Sequence, residues 1–388
     1  MDPVRNPFAP GAGAQPPELA GRHGVIQSAD FAIQRALMGR PARSQMLLGL
    51  RGVGKTVLLN RIETQASDAG HLTSFIEARE GEPLASLLFP AAQQIVRKLS
   101  VIETAKTAGL AAMRALRSFA KTFKISFGDI SISVDPEPGV ADSGNLELDL
   151  PELFLTIGQA AAAAGKAWTL LIDEVQYLKE PDLAALIVAI HRANQRNLPI
   201  LFFGAGLPQV AALSGDAKSY AERLFEYPAI GALSPDAATD ALRQPILDEG
   251  ETITDDALAR MVAETQGYPY FLQEWGFQAW NAAAQSPITA GDVDSATENA
   301  LRRLDQGFFK VRFDRLTPKE REYVIAMARL GAGPYRSSDV ADLMGETAQA
   351  LGPRRASIIS KGMIYSPGHG DIAFTVPLFE AFLTRNYL

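Results

Sequence analysis

Short apolar runs alternate with amphipathic stretches through the first part of the chain, and the alternation stops after Ser234-Pro235-Asp236. Ser44–Leu50, His71–Ala78, Ala167–Glu174 and Leu198–Ala205 read as buried strands. Phe225–Leu233 reads as a weaker fifth strand, and its Pro228 places it at a sheet edge. Helical patterns over Ser28–Met38, from Lys55, from Leu84 to about Leu99, over Pro151–Ala164 and over Pro181–Arg196 separate the strands. Strands alternating with helices imply right-handed βαβ units, so the fold class is α/β with a mainly parallel sheet.

Beyond Ser234 the pattern turns helical. Ser234 caps a helix with Pro235 at its first position, Thr254 caps another, and Gly267-Tyr-Pro-Tyr270 precedes a third. A further helix is predicted from about Ala290 to Phe309. Thr317 and Glu320 then have capping-box spacing. Helices over Pro318–Leu330, Ser338–Met344 and about Thr347–Lys361 lead to two short strands around Pro367-Gly-His-Gly370. Three helices and a β-hairpin are the pattern of a winged helix-turn-helix.

Charge divides the middle of the chain into blocks. From Arg97 to Lys124 the charges are basic except Glu103; from Asp129 to Glu152 they are all acidic. Between them Phe123–Val134 alternates around Gly128-Asp129, which predicts a β-hairpin. Solvated faces and a nucleic-acid or partner-binding insertion both suit these blocks. The first 24 residues are rich in Pro, Gly and Ala and read as a flexible tail without the apolar core of a signal peptide. No run is long enough to span a bilayer, which places the protein in the cytoplasm with no membrane partner. The chain has no cysteine and only 4 histidines, which excludes disulfides and thiolate metal sites and argues against a zinc enzyme. Its net charge of −7 argues against coating nucleic acid with the whole surface.

The chemistry concentrates in Gly49-Leu50-Arg51-Gly52-Val53-Gly54-Lys55-Thr56, followed by Val57. The segment fits G-x-x-x-x-G-K-[ST] between a strand and a helix. Glycines let backbone N–H groups point inward at phosphate oxygens, Lys55 reaches the β- and γ-phosphates, and the Thr56 hydroxyl holds Mg²⁺. Asp173-Glu174 end an apolar strand about 120 residues later. In that context Asp173 serves the Mg²⁺ and Glu174 orients the attacking water. Taken alone, the same pair could cap the following helix.

Together with Phe202-Phe-Gly-Ala-Gly-Leu-Pro208 and Gly267–Gly276, these motifs resemble the AAA+ ATPases, and most of all their archaeal-type and origin-recognition branch. The resemblance runs from about Val25 to the C-terminus. It implies a P-loop NTPase core with a three-layer parallel sheet, an all-α lid and a winged helix, with ATP or ADP and Mg²⁺ as cofactors. The expected domains are a tail at 1–24, an ATPase core at 25–234 with an insertion at about 97–150, a lid at 235–312 and a winged helix at 313–388. The class places an arginine finger before the fifth strand, which falls on Arg223; an ordinary surface salt bridge is the alternative. Val25 and Ile26 occupy the adenine-contacting position. Where the class carries a polar sensor this chain has Gly204-Ala205-Gly206, so that sensor is absent or displaced to Gln209, and the lid lacks a sensor arginine near Gly267-Tyr-Pro269. These departures suit a slow, switch-like ATPase.

Partners follow from the C-terminal part. Lys310 to the end holds 11 basic and 8 acidic residues, a local +3. If the winged helix reads DNA, Arg354, Arg355 and Lys361 meet phosphates or base edges and His369 enters the minor groove. Pro353 inside that helix should delay or kink it. A DNA-binding replication or transcription factor licensed by ATP, and a signalling or defence scaffold with a protein partner, are the alternative functions; homo-oligomerisation accompanies the arginine-finger reading.

Overall fold

A computed structural model describes residues 1–11, 19–125 and 138–388, so the hairpin expected over Phe123–Val134 falls largely outside the described residues. The chain divides into two units. One, the sheet unit, comprises Arg22–Gly49 and Lys55–Ile230; the other, the helical unit, comprises Met1–Gly21, Leu50–Gly54 and Gly231–Leu388.

The sheet unit begins with α1 (His23–Leu37), β1 (Ser44–Leu48), α2 (Lys55–Asp68), β2 (Leu72–Glu77), α3 (Leu84–Ser100), α4 (Lys106–Thr122) and α5 (Leu146–Ala163). It continues through β3 (Trp168–Asp173), α6 (Glu180–Gln195), β4 (Ile200–Gly206), α7 (Val210–Ala217), α8 (Ala221–Leu224) and β5 (Phe225–Glu226). The five strands are parallel in the order β2-β3-β4-β1-β5. β3 and β4 are buried at every position, as parallel strands covered by helices on both faces must be. That is why they read as unbroken apolar runs rather than alternating ones. α1 and α2 pack together with α2 across β2, β3 and β4, while α3, α4, α5 and α6 pack as a second helix layer. β5 is short and ends before Pro228, whose carbonyl still accepts from the Leu48 N–H at 2.9 Å.

Helix α1 starts at His23, earlier than the expected Ser28, and the Ser28 hydroxyl accepts from Gln45 at 2.9 Å. The basic block largely becomes α4, and its apolar stripe of Ala112, Met113, Leu116 and Phe119 joins the core. The acidic block is partly structural as well. Asp149, 1 % exposed, accepts from the N–H groups of Ser143 (3.0 Å) and Gly144 (2.9 Å) and from the Ser143 hydroxyl (2.7 Å). Hydrogen bonds of this kind offset the cost of burying its charge.

The helical unit carries α9 (Pro235–Asp248), α10 (Asp255–Thr265), α11 (Pro269–Ala282) and α12 (Ala290–Arg303), then a π-turn at Leu304–Phe309 and α13 (Lys310–Asp314). It ends with α14 (Pro318–Arg329), β6 (Tyr335–Arg336), α15 (Ser337–Met344), α16 (Ala348–Ser360), β7 (Ile364–Tyr365), β8 (Asp371–Phe374) and α17 (Phe379–Tyr387). β6, β8 and β7 form an antiparallel sheet beside α14–α16, the arrangement of a winged helix-turn-helix. Ser234 caps α9 as expected, accepting from Ala237 N–H at 3.3 Å. Thr254 does not cap α10 with its side chain; its hydroxyl donates to the Ile288 carbonyl at 3.3 Å. α16 runs through Pro353 without a break. The first residues, expected as a tail, are anchored: Phe8 is 2 % exposed against Gly276, and the Trp280 indole N–H donates to the Asp2 carbonyl at 2.8 Å.

The expected capping box is present and does more than cap. Glu320 accepts from Thr317 N–H at 2.6 Å, the Ser357 hydroxyl at 2.7 Å and Lys361 Nζ at 2.6 Å, so one carboxylate ties α14 to α16. Burial raises its pKa, but the Lys361, Ser357 and Thr317 hydrogen bonds prevail and bring it down to about 2. A carboxyl depressed from its unfolded value of about 4.3 contributes stability above that pH and loses it as pH falls toward 2. Glu320→Gln is expected to cost about 1–3 kcal/mol at pH 7 and to flatten the acid limb between pH 4.5 and 2, read by urea titrations across that window.

Candidate nucleotide-binding site

The phosphate loop leaves β1 where the strand's carboxyl end meets β4. Gly49 N–H donates to the Gly206 carbonyl at 3.0 Å, fixing where the loop departs. Gly52 and Gly54 sit at φ +82° and +91°, a left-handed region closed to most side chains. These turns deliver the chain to Lys55, which is 8 % exposed and opens α2. The first turn of α2 carries no acidic residue to compete for its N–H groups, so its positive end faces the loop.

At the far side of β4, β3 ends in the two acids. The Thr56 hydroxyl donates to Asp173 Oδ2 at 2.5 Å, across 117 residues of sequence. Burial pushes the Asp173 carboxyl above its ordinary value, against the opposing pull of the Thr56 hydroxyl and the Glu174 N–H. A buried carboxylate next to a hydroxyl is a donor set that suits Mg²⁺, which takes few protein oxygens and completes its shell with phosphate and water. Among the described residues no cluster of three or more His, Cys, Asp or Glu side chains forms a closed cage. Thr56 and Asp173 are the side chains that would hold such an ion, together with the nucleotide.

Glu174 occupies φ +54°, ψ +40°, an uncommon conformation for a non-glycine residue. Its N–H donates to Asp173 Oδ1 at 2.8 Å, and its carboxylate accepts from the Gln176 amide. Gln176 also accepts, through Oε1, from the Leu207 N–H at 3.2 Å. Gln176 was not singled out from the sequence. Its only signal there is a position two residues past Glu174, and a bridge to β4 is invisible without the sheet order. It also explains the small residues on β4. A Cβ on Gly206 would come within 2.7 Å of Val210 and 3.0 Å of Gln176, and one on Gly204 within 2.9 Å of the Phe202 ring. The polar group bonded to Glu174 comes from Gln176.

Arg223 is not brought to these residues. It precedes β5 at the amino ends of the strands, beside the Ser44–Phe225 pairing. The five-residue length of β1 separates the two ends by roughly 16 Å. There Arg223 lines an open cleft of about 550 Å³ with Phe31, Arg35, Arg43 and Glu226. Val25 and Ile26 lie in the first turn of α1, partly buried.

The side chains expected to meet DNA are engaged inside the winged-helix module. Arg354 pairs with Glu346 at 3.1 Å, Arg355 donates to the Ser337 hydroxyl at 3.0 Å, and Lys361 is bound to Glu320. His369 is exposed on the wing. Among the described residues no helix is long and apolar enough to cross a membrane.

Comparison with known proteins agrees with this geometry. Residues 18–203 match the family model described as AAA ATPase domain, and residues 306–383 match a domain of unknown function (DUF8462). No curated relative matches the sequence. Among solved structures, the Walker-type ATPase PABY2304 of Pyrococcus abyssi is similar at a TM-score of 0.58 and 16 % identity, covering 94 % of this chain and 96 % of that one. The Orc1 protein of Aeropyrum pernix in complex with DNA has a TM-score of 0.48 at 14 % identity, covering 98 % and 96 %. The RuvB Holliday junction branch migration motor of Thermotoga maritima has a TM-score of 0.46 at 14 % identity, covering 97 % and 99 %. At such identity the first likeness is one of fold, and the other two add nothing to it. The phosphate loop and the acid pair both fall within residues 18–203, the stretch that matches the AAA ATPase domain.

Proposed function

We propose that the protein binds ATP with Mg²⁺, hydrolyses it slowly, and uses the cycle as a switch whose output is the C-terminal winged-helix module. The observation that carries the reading is the 2.5 Å approach of Thr56 to Asp173, which brings the two motifs to one point. Backbone N–H groups of Gly49–Thr56 and the Lys55 ammonium neutralise the phosphates. Glu174 takes up a proton from the attacking water and orients it. Bound Mg²⁺ supplies charge stabilisation at the phosphate oxygens.

Slow turnover has two supports. The end of β4 has no room for a polar side chain at Gly204 or Gly206. Glu174 is also occupied by the Gln176 amide, and water must compete for it. Arg223, exposed at the opposite end of the sheet, serves a neighbouring copy rather than its own site. Because Arg354, Arg355 and Lys361 are engaged internally, contact with a protein partner is the better reading of the output module than DNA. A DNA complex weakening steeply with salt would overturn that preference.

Lys55→Ala is expected to lower ATP affinity by about tenfold or more, measured by calorimetry; unchanged binding removes the loop assignment. Glu174→Gln should keep binding and lower turnover by about 10²-fold. Turnover per subunit should rise with protein concentration and collapse in Arg223→Ala. A rate independent of concentration and untouched by that change removes the role in trans.

A further inference from the structure

The cleft at the amino ends of the strands, about 550 Å³ in volume, falls within the roughly 300–1,000 Å³ that small-molecule sites occupy. Every residue lining it belongs to the sheet unit. Its floor is made of hydrogen-bond acceptors. Gln45 of β1, 1 % exposed, lines it between Ser28 of α1 and Glu226 of β5. Gln45 Nε2 donates to the Ser28 hydroxyl at 2.9 Å and to Glu226 Oε2 at 3.4 Å, and the Ser28 hydroxyl donates to the same carboxylate oxygen at 3.3 Å. A carboxylate only accepts, so the amide must turn its nitrogen toward Glu226. That leaves Gln45 Oε1, which is buried and accepts no hydrogen bond among the described residues. A buried acceptor without a donor is unfavourable and calls for a partner from outside.

The rim is cationic. Arg35, Arg43 and Arg223 line the same cleft and are exposed. Arg35 is anchored through Nε on the Pro41 carbonyl at 2.9 Å. Among the described residues none of the three forms an ion pair, and the carboxylate of the cleft, Glu226, is engaged by Gln45 and Ser28. One wall is apolar: Phe31, 59 % exposed, stands beside the buried Ala32 and Leu224. An exposed phenyl ring offers its face to a flat, partly polar ring.

We propose that this cleft is a binding site for a guanine nucleotide, separate from the phosphate loop. Acceptors at the floor select a ligand edge made of donors, and guanine sets N1–H beside its N2 amino group. Adenine instead places an acceptor nitrogen beside its amino group, and a peptide backbone alternates donors and acceptors. With the base edge on Gln45 Oε1 and Glu226 and the base plane against Phe31, the phosphate is left for the rim arginines, whose forked donors match it. Binding there draws on Arg223, the residue proposed above to serve a neighbouring copy, but does not depend on that role or on the loop.

The test is calorimetric titration of the full-length protein with GMP, guanosine and AMP, for wild type, Arg43→Ala, Gln45→Met and Lys55→Ala. GMP should bind once per chain, with guanosine and AMP each weaker by about tenfold or more. Arg43→Ala changes an exposed side chain; it should weaken GMP by about tenfold or more and leave guanosine within about twofold. Gln45→Met should bring the ratio of GMP to AMP affinity toward one, a ratio that a reduced fraction of folded protein does not alter. Lys55→Ala should bind GMP as wild type does. Absence of GMP binding, a wild-type GMP affinity in Arg43→Ala, or a wild-type ratio in Gln45→Met overturns the proposal. Loss of GMP binding in Lys55→Ala places the nucleotide in the phosphate loop and overturns it too, while leaving the ATPase reading intact. A glutamate-rich peptide that binds where GMP does not, and is lost in Arg43→Ala, would make the cleft a groove for acidic peptides instead.

Discussion

A hydroxyl held 2.5 Å from a largely buried carboxylate sets the terms for the sheet unit. Burying Asp173 is unfavourable for its charged form, and the Thr56 hydroxyl and Glu174 N–H offset part of that cost. A cation would offset more. The arrangement depends on three strands keeping register: β1 to aim the loop, β3 to end at the acids, and β4 between them. Packing α2 across β2, β3 and β4 holds Lys55 and Thr56 where the loop releases them.

Glycines on β4 belong to the same constraint. Gly204 and Gly206 leave room for the Phe202 ring, Val210 and Gln176, and Gln176 uses that room to bridge Leu207 and Glu174. A polar side chain on β4 would displace this bridge. The absence of one is therefore part of a packed alternative, in which the amide that orients the acid is supplied from the turn after β3. Glu174 itself is held at a positive φ, a conformation that costs free energy and tends to persist at functional sites.

In the helical unit, basic side chains divide by what they face. Arg354, Arg355 and Lys361 have partners within the winged helix, and Lys361 does so by completing the capping box of α14. Arg312 instead lays its guanidinium over the Phe308 ring. Lysines and arginines count alike in a sum of charges, so the excess at the C-terminal end could not say which were available. The contacts sort them.

Local pattern was enough for much of this protein. Apolar runs located β1 to β4 because strands buried on both faces admit few polar residues, and Pro228 marked the edge strand because proline cannot donate to a ladder. The loop Gly49–Thr56 and the pair Asp173-Glu174 stood out because a phosphate-loop motif and its acidic partner are patterns of particular residue types at fixed local spacing. Ser234 and the Thr317–Glu320 box were legible for the same reason: caps act within one helical turn. What required the tertiary structure were the long-range pairings that no motif marks. Phe8 on Gly276, Gln176 between Leu207 and Glu174, and Lys361 on Glu320 join segments whose sequences carry no mark of one another. A side chain's partner is set by which surfaces the chain brings together, and that is decided by packing of the whole rather than by the run of residues around it.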